Sequence, residues 1–139
     1  MHLALPCIAL AAMAGLSRGD IIYRTNDPYF GPSGPPAFGL TDEQAVALRF
    51  TPDRDYTLDA IRVWIISDNF EVITHAPVRV QLRTSHPTLP RPTNTVIEEM
   101  AFEVETLGWV PLLQSVESRT HPLLRAGVDY WIVLECDLH

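Results

Sequence analysis

Lysine is missing altogether: the ten basic residues, from Arg18 to Arg125, are all arginine. That removes Schiff-base chemistry and the phosphate-binding lysine of a P-loop. An arginine-only basic set also hints at a GC-rich bacterial genome. Cysteine is scarce, with only Cys7 and Cys136 in 139 residues. No disulfide framework is therefore available to staple a fold that lacked a core. Long apolar runs are absent as well. The longest, residues 3–16, is too short to span a bilayer comfortably, so no membrane span is expected.

Positive charge is in deficit. The formal net charge is −7 and no basic stripe compensates for it, so a nucleic acid would be repelled and is excluded as a partner. Metal signatures are also missing. His75, His86 and His121 are scattered without the spacing that brings two imidazoles onto one ion, and they read as solvent-exposed loop residues. Asp53 and Asp55, with Asp59 beyond, offer oxygens at a turn that calcium would accept. They lack the full Asp-x-Asp-x-Asp-Gly loop and read as turn-forming acids. The expectation is no metal and no cofactor. Serine, histidine and aspartate are plentiful but no Gly-x-Ser-x-Gly elbow accompanies them, so no catalytic residue is assigned.

What is present begins with an apolar amino terminus. Ala12-Met13-Ala14 gives the small-x-small pattern accepted by a signal peptidase, so residues 1–19 read as a signal peptide. The remainder, residues 20–139, has room for one domain, secreted or at the cell surface, with a periplasmic location as the variant. Hydrophobic residues make up 47% of the chain, enough for a single core.

The patterning is that of strands. A short β-favouring run at residues 20–25 precedes a Pro- and Gly-rich loop over residues 26–40. Val46, Leu48 and Phe50 fall on one face of a run with period two, which the turn at residues 51–55 ends. Residues 56–67 carry Ile61, Val63, Trp64, Ile65 and Ile66, and read as a central strand. In residues 77–85, Val78, Val80 and Leu82 alternate inward against Arg79, Gln81 and Arg83. In residues 95–105, Val96, Met100, Phe102 and Val104 alternate with acids; an amphipathic helix is the alternative there. A weaker strand follows over residues 109–118. Last, Val128, Tyr130, Ile132, Leu134 and Cys136 form one apolar face of residues 128–136. Roughly seven short strands at this spacing predict an all-β, antiparallel, jelly-roll-like sandwich.

Several of these pieces, in order, resemble the choice-of-anchor R type of extracellular β-sandwich domain found in bacterial exported proteins. The matching residues are Ile21-Ile22-Tyr23, Phe50-Thr51 leading into Tyr56-Thr57-Leu58-Asp59-Ala60-Ile61, Val78-Arg79-Val80-Gln81-Leu82, and Pro122-Leu123-Leu124 through Tyr130-Trp131-Ile132-Val133. The resemblance implies an architecture and carries over no catalytic residue. It also implies further strands after the Tyr-Trp strand, so the expectation is a sandwich lacking its last strands. Such a sandwich would expose an edge.

Candidate sites follow from strand parity. Trp64 points away from the core beside Arg62, and Trp131 points away from it beside Asp129, so the two indoles would share a surface. Sugar rings stack on aromatic faces while polar neighbours orient the hydroxyls. The leading expectation is thus a non-catalytic module that binds a polysaccharide or matrix component weakly through Trp64, Trp131, Arg62 and Asp129. One alternative is an extracellular hydrolase acting on a polymer. Its paired carboxylates would come from Glu98, Glu99, Glu103 and Glu105, which read better as a solvated strand face. Another is a structural domain that assembles with a second protein.

Overall fold

A computed structural model describes residues 45–65, 74–106 and 112–136 of the chain. The segment expected to be a signal peptide, the run at residues 20–25 and the expected Pro- and Gly-rich loop lie outside the described residues. Within them every regular element is a strand, and antiparallel sheets pack together as a sandwich. No helix among the described residues is long and apolar enough to cross a membrane.

The elements are β1 (Val46–Phe50), β2 (Tyr56–Thr57), β3 (Ala60–Ile65), β4 (Thr74–Ser85), β5 (Pro92–Thr106), β6 (Leu112–Glu117), β7 (Leu123–Leu124) and β8 (Tyr130–Cys136). One sheet has the order β1-β8-β4-β5, and the pairs β2-β7 and β3-β6 form two smaller ladders. The inner face of the large sheet supplies Phe50, Val78, Val80, Leu82, Met100, Val104, Tyr130, Leu134 and Cys136, and Leu58, Ile61 and Leu124 close on it from the other side. Each fully buried aliphatic side chain here is worth roughly 1.5–3 kcal/mol of transfer free energy. Val80 and Leu82 lie in the middle of the sheet, on the strand that pairs with both β5 and β8.

Residues 95–105, expected as a strand with a helix as the alternative for its middle, belong to the long strand β5, paired with β4. Four other sequence expectations need correction. The run at residues 56–67 is not a central strand. Among the described residues it is broken into β2 and β3, and β3 pairs only with β6. The break has a physical cause: Leu58 and Asp59 face the five residues 118–122, too many for a regular ladder. Leu58 N donates to Pro122 O and Ser118 N to Asp59 O, which carries the pairing across the gap.

The second correction concerns Val96, placed on the inner face by parity but 39% exposed. A bulge between Leu82 and Arg83 in the β4–β5 register pairs Val96 with Arg83, on the outer face. Val128 is likewise exposed, because residues 125–128 are a turn and β8 starts only at Tyr130. In that turn Val128 N donates to Arg125 O, and Gly127 takes the left-handed conformation at φ 71°. Lastly, β4 begins at Thr74, so His75 belongs to a strand rather than to a loop.

Candidate functional site

β3 exists as a strand because Ile61, Val63 and Ile65 alternate, and these three side chains pack on the core. Alternation then forces Arg62 and Trp64 onto the opposite face. Across the ladder Trp64 sits opposite Leu113, Arg62 opposite Ser115, and Ala60 opposite Glu117. Trp64 is 46% exposed and Leu113 45%, so an indole face and an isobutyl group stand together on a two-stranded outer surface. Arg62 is exposed, and among the described residues its guanidinium has neither an ion pair nor a hydrogen bond. This half of the expected site is assembled.

The other half is elsewhere. Trp131 lies on the outer face of the large sheet, opposite Arg49 on β1 and Arg83 on β4, whereas Trp64 lies on the outer face of the β3–β6 ladder. The two indoles therefore do not share a surface. Trp131 is also only 9% exposed, and its Nε1–H donates to Ser85 Oγ at 3.1 Å. Asp129 is engaged too, accepting from Thr51 Oγ1 and standing 3.9 Å from an Arg49 nitrogen. Both residues tie β8 to its neighbours and leave no stacking face free.

Around Trp131 the outer face is a polar lattice. Glu135 receives Arg79 Nε at 3.0 Å and an Arg83 nitrogen at 3.4 Å. Gln81 donates to Glu99 and accepts from Arg83. These long side chains lie over Val133, which is buried on the same face of β8.

The turn acids are likewise committed to protein donors. Tyr56 OH donates to Asp53 Oδ1 at 2.8 Å, and that carboxylate pushes the phenol above its ordinary range. Asp55 accepts from Ala126 N at 2.9 Å and from the Arg125 guanidinium at 2.7 Å. The Ala126 amide first, then Arg125, hold the Asp55 carboxyl below its usual range. Among the described residues no three His, Cys, Asp or Glu side chains come together in a way that could hold a metal ion. His86 Nδ1 accepts from the amides of Thr88 and Leu89, capping the proline-rich turn after β4.

One residue reverses its expected role. Glu98 does not join a solvated face; it is 6% exposed and points inward from β5, opposite Leu82. Its carboxylate accepts from Ser118 Oγ at 2.6 Å, Arg119 N at 2.6 Å and Thr120 N at 3.0 Å. Burial alone would push this carboxyl up, but the Ser118 hydroxyl and the Thr120 and Arg119 amides overcome it and hold the group below its ordinary range. Ser118 Oγ in turn accepts from His121 N, and His121 Nδ1 lies 3.1 Å from Leu58 O. The cluster organises the five-residue insertion opposite Leu58 and Asp59.

No family model, no curated protein and no solved structure matches this chain. The functional reading therefore rests on the outer face of the β3–β6 ladder. The signal for Trp64 and Arg62 lay in parity. Leu113 was not singled out, because cross-strand register is invisible without the partner strand. Glu98 had a signal, since it occupies an even position among the inward residues of β5, but its partners lie some twenty residues away.

Proposed function

We propose that the protein is a non-catalytic, exported β-sandwich module that holds a glycan on the outer face of β3 and β6. Trp64 is the ring platform, and Arg62 and Ser115 are its polar edge. The observation that carries this reading is the exposed indole on the β3–β6 strand pair, next to an arginine whose guanidinium has no ion pair or hydrogen bond among the described residues. A tryptophan left in water forgoes a large burial gain, and recognition of an apolar ring face recovers it. Export and membership of the choice-of-anchor R architecture belong to the same reading and rest on the amino-acid sequence. The carboxylates a hydrolase would draw on include Glu98, which is committed to the 118–120 loop, and Glu99, which accepts from Gln81.

Affinity electrophoresis through gels containing neutral or acidic polysaccharides tests the proposal. Wild-type protein is retarded by at least one of them, and Trp64→Ala migrates as in a blank gel with an unchanged melting temperature. Equal retardation of the two proteins would remove Trp64 from any binding site.

A second reading is favoured by the apolar neighbour. Leu113 is exposed beside Trp64, which suits a protein contact as well as a sugar. Sedimentation that shifts with concentration, and no longer does so in Leu113→Ser, would select it.

A further inference from the structure

Resting on the glycan reading, we infer that the ligand is an acidic sugar, with Arg62 receiving a uronate carboxylate while Trp64 carries the ring. The juxtaposition is fixed by the strand: Arg62 and Trp64 are two residues apart on one face of β3, which places their Cα atoms about 7 Å apart. A ring stacked on the indole thus brings its edge within reach of the guanidinium.

The charge environment makes the choice between ligands. Arg49, Arg83 and Arg125 stand in ion pairs with Asp129, Glu135 and Asp55. Arg62 has no ion-pairing acid among the described residues, and its cross-strand neighbour Ser115 is uncharged. An arginine fork matches a carboxylate in a planar, bidentate way. Glu117, opposite Ala60, is the acid diagonal to Arg62 on the same face, outside ion-pair distance of it, and repels an anion on that side. The carboxylate therefore sits on the Trp64 side of Arg62. Arg62 is the one basic residue of β3 and β6 in a chain of net charge −7, so this face matches one carboxylate per sugar unit and not a densely sulfated polymer, which needs a basic surface.

Polygalacturonate and its methyl ester share one backbone and differ in the carboxylate, so they separate charge recognition from ring recognition. The full chain is run through gels of each, with Arg62→Gln and Trp64→Ala beside it. Wild type is expected to bind polygalacturonate about tenfold more tightly than the ester, with the difference shrinking as salt is raised. Arg62→Gln is expected to bind both polymers equally, at the level of the ester, and Trp64→Ala to bind neither. If Arg62→Gln matches wild type on polygalacturonate while Trp64→Ala is weakened, the acidic-sugar inference falls and the glycan reading stands. If Trp64→Ala matches wild type on every polymer, both fall. Equal melting temperatures for the three proteins exclude misfolding as the cause, since both side chains are exposed.

Discussion

Ser118 Oγ donates to Glu98 Oε2 at 2.6 Å, joining the inner face of β5 to the loop that follows β6. The same carboxylate accepts the amides of Arg119 and Thr120, so one side chain satisfies three donors in a five-residue insertion. Removing an acceptor from buried donors costs more than forming the bond contributes, because the orphaned groups have lost water as well. Glu98→Ala is expected to destabilise the domain by roughly 2–4 kcal/mol, read as a shift in the midpoint of urea denaturation. A loss below about 0.5 kcal/mol, the range of an ordinary surface substitution, would show that the loop is held by other contacts.

Because the Glu98 carboxyl is held below its ordinary value of 4.5, the folded state binds its proton less readily than the unfolded chain does. Its stabilisation is fully present above that value and is lost as pH falls through the lower, folded-state value. Asp55 has the same sign, so some acid sensitivity survives without Glu98. The stability gap between wild type and Glu98→Gln should accordingly be widest at neutral pH and narrow below about pH 4.5. Urea melts across pH 7 to 3 measure it, and a gap that stays constant would show that Glu98 is not the titrating group.

The alternation in β4 was legible to the residue, because Val78, Val80 and Leu82 report a local property of a strand. The inner positions of β8 from Tyr130 onward were legible for the same reason. Parity misplaces Val96 because a bulge depends on which partner residue it faces, and residues 56–67 read as continuous because the insertion that breaks their ladder lies on another strand. Trp131 shows the limit most clearly. Parity correctly turned it away from the core, but parity says nothing about what lies over the other face. Arg49, Arg83 and Ser85 come from β1 and β4, and only the sheet order brings them beside the indole.

Gly127 adopts φ 71° in the turn before β8, and a Cβ added there would meet no atom within 4 Å. Any cost of Gly127→Ala must therefore come from the backbone, since an L-residue in the left-handed region pays about 1–2 kcal/mol. Asparagine tolerates that region better. The expected order of thermal stability is Gly127, then Asn, then Ala. An alanine variant as stable as wild type would mean that the turn relaxes to another conformation.

The two described tryptophans should respond in opposite ways to the same substitution. Trp131 is buried, with its Nε1–H given to Ser85, and truncating such a side chain leaves a cavity costing about 3–5 kcal/mol. Trp64 stands in water on β3, and its truncation should change stability by less than about 1 kcal/mol. Denaturant melts of Trp131→Ala and Trp64→Ala, run with acrylamide quenching of the remaining fluorescence, make the comparison. The quenchable emission should fall when Trp64 is removed and hold when Trp131 is removed, with the third tryptophan, Trp109, emitting in both variants. If Trp131→Ala melted like wild type, its indole would have to be free of the sheet, and a binding role for that face would return. If Trp64→Ala lost several kcal/mol, the exposed indole would be a structural element, and the β3–β6 face would no longer be the place to look for a ligand.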